Sequence, residues 1–371
     1  MWLVLLIMAF AAISSTCMPP FNDMRYADNA TLLQVTLDQY EANPTLGWAH
    51  VFDGESPLER WPANENGIVI INYCFLNQNV KDKLEGFMVK GWEAWRSKLG
   101  NAGPGYHHRL GGFSVYNKDG VTPFCFETNG RWNEKVPVGT LVVGLMLDPQ
   151  DSGGEAVMGH RPSQWDARPD RHVLRIGSPE GLPSDLLTWV AIHEMGHVLG
   201  LTHEHQRKDR DKYVHFECAN LLGYAEAKTL AERSGQISIT KLCTSALYGR
   251  FEPWKSLAFR AYDYATEEFW EMSHKDENGK DDGYQHHYTV TASEDYDVGS
   301  IMHYPSISGW KGGEWSIKAA PLVKWKNGGK DFTPPSEVTE ENAELIFADM
   351  KNLGPSSKDI EVLKKLYPWE G

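Results

Sequence analysis

Residues 193–205 read His193-Glu194-Met195-Gly196-His197-Val198-Leu199-Gly200-Leu201-Thr202-His203-Glu204-His205, and four of the chain's 14 histidines fall in this short stretch. The run before it, Leu186-Leu187-Thr188-Trp189-Val190-Ala191-Ile192, is apolar, and Leu182-Pro183-Ser184-Asp185 ahead of that is helix-start chemistry. The spacing predicts a helix that stops at Gly200 as its C′ residue. On such a helix positions i and i+4 share a face, so His193 and His197 stand one turn apart, a spacing that suits two imidazoles on one Zn2+. Glu194 is rotated away by one residue and suits a general base that reaches a metal-bound water without ligating the metal. A third ligand has to come from outside that face. Gly200 lets the chain leave the helix through positive φ, and His203 arrives three residues later. Three protein ligands plus water make the open, catalytic type of zinc site, whereas a closed structural site uses four, usually with cysteines. Helical histidines are commonly solvated or satisfied in a core, and HExxH alone gives false positives. The extension through Gly200 and His203 is what favours a metal.

The chain has 371 residues, enough for one large domain or two modest ones, with 41% hydrophobic and 23% charged residues. A net charge of −14 without a Lys/Arg stripe argues against nucleic acid and against anionic membrane surfaces. The N-terminus, MWLVLLIMAFAAISSTC, has an unbroken apolar run from Trp2 to Ala12 that is too short to span a bilayer. It reads as a signal peptide over residues 1–16, which predicts a secreted, extracellular protein with no membrane anchor. Cys17 sits at the cleavage point. Cys74, Cys125, Cys218 and Cys243 then form an even set in an oxidising compartment, with three possible connectivities. Proximity favours Cys218 with Cys243 and Cys74 with Cys125. Asn29-Ala30-Thr31 is a glycosylation acceptor.

Residues 18–60 are polar, rich in Pro and Asn, and without a sustained period. Strands are expected at Gly67–Leu76, Phe113–Asn117, Phe124–Asn129, Leu141–Leu147 and His172–Ile176, and a helix from Val80 to Leu99 with Val80, Leu84, Phe87, Met88, Trp92, Trp95 and Leu99 on one face. Residues 149–170 read as an irregular, exposed edge. Between 215 and 295 helix is expected at Asn220–Arg233 and Thr266–Ser273, around a charged loop, HKDENGKDDG. Ser356-SKDIEVLKKLYP reads as a final helix capped by serine and stopped at Pro368. Mixed elements of this kind make an α+β protein. Asp276–Asp282 lacks the glycine and closing glutamate of a calcium loop, and Gly177-Ser178-Pro179-Glu180-Gly181 has its serine one place early for a nucleophile elbow.

A second constellation lies about a hundred residues on: Tyr296-Asp297-Val298-Gly299-Ser300-Ile301-Met302-His303-Tyr304-Pro305. Alone it is an ordinary turn with a buried methionine. Paired with HExxHxxGxxH it is the pattern of the metzincins. Here the chain resembles the astacin-like zinc endopeptidases. Glu204 follows the third histidine as glutamate does in that family. His203-Glu204-His205-Gln206-Arg207-Lys208-Asp209-Arg210-Asp211-Lys212-Tyr213-Val214 is similar to its HExxRxDRDxYV continuation, and Ser300–Tyr304 to its SIMHY turn. Weaker similarity runs from about Trp61 to Tyr367.

The resemblance implies a two-lobed metzincin (zincin-like) fold: a twisted mixed sheet with the active-site helix (about 61–203) above an irregular C-terminal lobe (about 204–371). It implies zinc on His193, His197 and His203, Glu194 as general base, Met302 as a hydrophobic base under the metal, and Tyr304 as a loose further ligand and oxyanion donor. Glu204 would be structural and tied to the mature N-terminal region. Residues 17–60 would be a pro-segment in which Phe52-Asp53-Gly54-Glu55 resembles an F-x-G-D zinc-blocking motif with Glu55 in place of the aspartate, and the mature chain would begin at 56–61. The substrate would be a protein or peptide, extended across the cleft against an edge strand near Glu155–His160, and the protein a monomer. Two departures stand out: there is no cysteine after Cys243, so the family's disulfide to the C-terminal region is missing, and the stretch from Tyr213 to Tyr296 is longer than usual, with surface decoration its plainest role. The other function class, a catalytically lapsed zinc-binding adhesion or toxin-like protein, is disfavoured by intact Glu194 and Tyr304, and a structural zinc protein by the three-ligand, cysteine-free set.

Overall fold

Residues 69–73 alternate, with Val69, Ile71 and Tyr73 buried and Ile70 and Asn72 exposed, the period of a strand with one face on a core, and Cys74 and Phe75 then bury both faces (β1, Val69–Phe75). In the computed structural model the described residues are 59–370, apart from 148–152, 246–247, 251–252, 255–256, 267–268, 290–294 and 351. The expected signal peptide, Glu55 and all but the last two residues of the expected pro-segment lie outside them. After β1, Asn77 caps helix α1 (Gln78–Leu99), its side chain accepting from the amide of Val80 at 3.0 Å. The strands β2 (Leu110–Val115), β3 (Leu141–Leu145), β4 (Gly154–Ala156) and β5 (Val173–Ile176) complete a five-stranded sheet of order β2-β1-β3-β5-β4. All its pairings are parallel except β4, which runs antiparallel to β5 at one edge.

The histidine helix, α2 (Ser184–Val198), packs against β4 and β5 of this sheet and against α1, which lies on β1, β2 and β3. Close approach is set by Gly91, where a Cβ would lie 3.1 Å from Met195 Sδ. Trp95, fully buried on α1, donates its indole N–H to the carbonyl of Ile192 at 2.9 Å. The expected face of α1 is the observed one: Val80, Leu84, Met88, Trp95 and Leu99 are buried, with Phe87 and Trp92 packed against the core.

The second half builds on β6 (Val214–Phe216), β9 (Leu322–Trp325) and β10 (Ala343–Leu345), an antiparallel sheet of order β10-β9-β6. Short helices α3 (Tyr224–Ser234) and α4 (Ile239–Thr244) lie between β6 and the hairpin β7 (Phe269–Lys275) and β8 (Asp281–Thr289). The final helix, α5 (Ser357–Leu366), carries a capping box between Ser356 and Asp359 and buries Ile360, Leu363 and Leu366 in the same core as α1 and α2. Both expected disulfides are present, Cys74–Cys125 and Cys218–Cys243. Hydrogen bonds tie the C-terminal end to the first half. The amide of Arg109 donates to the Tyr367 carbonyl at 3.1 Å, and the Tyr367 hydroxyl to that of Leu199 at 3.1 Å.

Four expectations fail. Residues 124–129 form no strand, because Cys125 is tied to Cys74 and Phe126 meets Trp132 across a tight turn. The supposed exposed edge at 149–170 contains β4, whose residues are buried, with Ala156 and Met158 in the core and the Gly159 amide on the His197 carbonyl. Thr266–Ser273 is not helix, since Phe269–Lys275 pairs with β8 through a turn set by Asp276 and by Gly279 at φ 77°; here pairing partner overrides local helical pattern. Finally, residues 215–265 are not decoration: Leu221, Ala227, Ala231, Leu242, Trp254, Phe259, Ala261 and Tyr264 make a buried cluster with Tyr304.

Candidate metal centre

The end of α2 shapes the site. Gly200 takes φ 100°, its amide donates to the His197 carbonyl at 2.8 Å, and the amide of Leu201 donates back to Gly196 at 2.9 Å, a Schellman closure. The Pro183 and Ser184 start carries no side-chain cap. The remaining carbonyls are taken from outside: Trp61 Nε1 donates to Val198 at 2.7 Å and Tyr367 to Leu199. The same turn swings the Leu201 carbonyl under His197, whose Nδ1 donates to it at 2.7 Å. The sequence assigned Gly200 the role of releasing the chain, and it also fixes the ring of the second histidine.

Each of the three histidines is held in this way. His193 Nδ1 donates to the Ile301 carbonyl at 2.8 Å, and His203 Nδ1 to Gln206 Oε1 at 2.9 Å. A carbonyl oxygen can only accept, so the ring proton sits on Nδ1 and the Nε2 lone pairs face inward. The three Nε2 atoms lie 3.0, 3.1 and 3.3 Å apart. Three lone pairs so close repel one another unless a cation sits among them. A tetrahedral ion with Zn–N bonds of about 2.0–2.1 Å requires ligand nitrogens roughly 3.3 Å apart, which these distances approach. His193, His197 and His203 are also the one His/Cys/Asp/Glu group with metal-ligand geometry among the described residues. Burial holds all three imidazoles neutral, as ligands must be: His193 is pushed down to about 4, and His197 and His203 further by burial and by one another. The residues present fit zinc.

Glu194 is buried beside the triad. It rests against β4, where a Cβ on Gly154 would lie 2.7 Å from Glu194 Cγ and 2.8 Å from its Oε1. The strand's bare backbone is therefore the wall that locates the carboxylate. Met302 lies under α2, with the Cβ position of Gly196 2.4 Å from its Sδ. The Tyr304 ring is 4.5 Å from His203 and stacks on His205 at 4.1 Å, centroid to centroid. The three histidines thus meet at one place, with Tyr304 against His203 and Met302 against Gly196 between the first two, drawn from two distant stretches.

Glu204 accepts from Arg207 Nη1 at 2.9 Å and from the amide of Asp297 at 2.7 Å; residues 56–58 of the N-terminal region to which it was expected to be tied lie outside the described residues. Burial pushes the Glu204 carboxyl up to about 7 against the pull of Arg207. The methionine turn is gripped from below by Asp359 of α5, which accepts from Ser300 Oγ at 2.6 Å and from the Ile301 amide at 2.9 Å. Gly154, His205, Gln206 and Asp359 were not assigned site roles from sequence. The only trace of them there is that His205 and Gln206 continue the histidine stretch.

Comparison with known proteins gives short matches around this helix. Residues 187–242 match the model of the astacin family (peptidase family M12A). An astacin-like metalloendopeptidase of Mus musculus is 36% identical over 63 residues, covering 17% of this chain and 14% of that protein. Nematocyst expressed protein 6 of Nematostella vectensis is 29% identical over 118 residues, covering 32% of this chain and 23% of that protein. The chain thus spans less than a quarter of the length of either curated relative. Among solved structures, high choriolytic enzyme 1, a hatching-enzyme zinc protease of the medaka Oryzias latipes, is 15% identical over 86% of this chain and 98% of its own, with a TM-score of 0.43. Myroilysin is 15% identical over 88% of this chain and 93% of its own, with a TM-score of 0.38.

Proposed function

We propose that this astacin-like chain is a secreted zinc-dependent endopeptidase that hydrolyses peptide bonds in proteins, its catalytic region running from about Trp61 to the C-terminal helix. The observation that carries this reading is the convergence of three neutral imidazole Nε2 atoms, every Nδ1 proton engaged elsewhere, at a helix that also buries Glu194. His193, His197 and His203 would hold one Zn2+. When bound, zinc lowers the pKa of a ligated water toward neutrality and polarises the substrate carbonyl.

The chain's own groups do the rest. Glu194, fixed against Gly154, takes the proton of the attacking water and returns it to the departing amine. Tyr304 donates its phenol to the carbonyl oxygen as negative charge develops there. The substrate backbone would run extended along the edge near Glu155–His160, at and beyond β4, where His160 pairs with Glu59 in an isolated bridge. Two disulfides and the apolar N-terminal run support secretion with residues 1–16 as leader, and no helix among the described residues is long and apolar enough to cross a membrane. Glu55 would restrain the site as part of the pro-segment until cleavage at 56–61.

The deciding experiment compares wild type with Glu194→Ala, both starting near Trp61 and loaded with one equivalent of zinc, on an unfolded protein substrate. Cleavage by wild type, abolished by chelator and by the substitution while zinc is retained, is expected. No cleavage by either chain would move the reading to a zinc-binding protein that does not cut, and equal cleavage by both would remove Glu194 from the mechanism.

A further inference from the structure

The long segment between Tyr213 and Tyr296 has no role in the reading above, yet it reaches the metal centre. At residues 261–265 it makes a single turn, Ala261–Tyr264, whose carbonyls point at the histidine stretch. Three side chains of that stretch donate to them. His205 Nε2 donates to Asp263 at 2.9 Å, Gln206 Nε2 to Ala265 at 3.4 Å and to Tyr262 at 3.5 Å, and the buried Arg210 guanidinium to Tyr264. Tyr264 in turn locks the turn from the far side, its hydroxyl donating to the Ser308 carbonyl and its ring stacking on Phe216 at 4.7 Å.

We propose that Gln206 is a positioning residue for the metal ligand His203, and that the 261–265 turn is what orients it. The assignment follows from donor and acceptor chemistry. A carboxamide has one accepting oxygen and one donating NH2. The turn presents only carbonyl oxygens, so it claims the NH2 and leaves Oε1 facing His203 Nδ1 at 2.9 Å. That oxygen keeps the ring proton on Nδ1, and the lone pair on Nε2 stays directed at the other two ligands, 3.0 and 3.3 Å away. His193 and His197 take the equivalent support from main-chain carbonyls, which no substitution removes. His203 alone depends on a side chain, itself 3% exposed, and through it on a segment some 60 residues downstream. Outer partners of metal-bound histidines typically carry 10- to 100-fold in metal affinity.

This inference rests on the zinc reading, and its test separates the two. Zinc dissociation constants are measured for wild type, Gln206→Leu and Gln206→Glu by competition with a chromogenic chelator. The tautomer of His203 in each zinc-free protein is read from long-range 1H–15N NMR couplings of the imidazole. Gln206→Leu is expected to bind zinc about 10- to 100-fold more weakly and to show mixed Nδ1-H and Nε2-H forms at His203, with His193 and His197 unchanged. Gln206→Glu keeps an acceptor for Nδ1 and, with its second oxygen protonated, a donor for Ala265. It is expected to lie within a few-fold of wild type and to guard against a misfolded leucine variant. Zinc binding by Gln206→Leu equal to wild type, or a His203 tautomer that does not change, would overturn the proposal and leave the zinc reading intact. Wild type that takes up no zinc would overturn both.

Discussion

The Nδ1 of His193 donates to the carbonyl of Ile301 at 2.8 Å, so the first histidine of the triad is braced by the residue immediately before Met302. Helix and methionine turn are one unit, although 108 residues separate the two groups. Gly196 sits over the same turn. Gly→Ala inside a helix normally stabilises by about 1 kcal/mol. Here the new methyl would enter 2.4 Å from Met302 Sδ and 3.3 Å from Trp95 Cζ2, and overpacking of this kind costs about 1–3 kcal/mol. Gly196→Ala is therefore expected to be net destabilising in urea titration. In a Met302→Ala background the same change should cost less or become stabilising, a coupling that a double-mutant cycle reads directly. Equal cost in both backgrounds would disprove the contact.

Gly154→Ala tests the wall behind Glu194. The backbone of Gly154 lies outside the positive-φ region, so the added methyl acts through the carboxylate and Val190 rather than through strain. Displacement of a catalytic group by about 1 Å can cost on the order of 100-fold in rate. A fall in kcat of that order, with one zinc per chain retained by elemental analysis, is the expected result. Unchanged kcat would mean the carboxylate is located by something else.

Asp359 supplies a pH signature. Desolvation outweighs its three donors, Ser300, Ile301 and Ser356, and with Asp297 nearby pushes its carboxyl from 3.8 to about 6. The folded chain therefore holds this proton through a window where the unfolded chain has lost it. That contribution to stability is present below about pH 4 and is lost as pH rises to 6, by on the order of 3 kcal/mol. Buried neutral histidines tilt the whole curve the other way, so the quantity to measure is the difference between wild type and Asp359→Asn. That difference should shrink as pH climbs from 4 to 6. Asp359→Ala also strands two main-chain amides and should cost about 2–4 kcal/mol near pH 4, a cost that shrinks toward pH 6 as it does for Asp359→Asn.

The Cys218–Cys243 bridge closes a 25-residue loop beside the cluster that carries the 261–265 turn. Loop-closure entropy assigns it about 3 kcal/mol. The paired Cys218→Ser, Cys243→Ser variant should show this loss in calorimetric melting and bind zinc more weakly, through the frame around Gln206. Loss of stability with full zinc affinity would confine the bridge to a structural role.

The sequence foretold the first half better than the second, for physical reasons. The α1 and α2 helices and the strands β1, β3 and β5 are written in apolar periodicity, and the metal ligands in a spacing that only a helix and one glycine turn can satisfy. β4 is three residues long and runs Gly154-Glu155-Ala156, with no β-branched residue to announce it. The first strand of the hairpin was read as helix within Thr266–Ser273 because its pairing partner, β8, lies beyond a charged loop and leaves no trace in the segment itself. Gln206 and Asp359 escaped notice because a hydrogen-bond partner 59 residues away leaves no local mark.

Synthesis proceeds from the N-terminus at roughly 5–20 residues per second, so the three histidines leave the ribosome on the order of ten to thirty seconds before the C-terminal helix does. Until then the Ile301 amide lacks its acceptor on Asp359, and the Leu199 carbonyl its donor on Tyr367. The turn that braces His193 thus closes only once Asp359 has emerged. A half-made chain therefore carries all three histidines and the local braces of His197 and His203, while the turn that braces His193 still lacks its hold on Asp359.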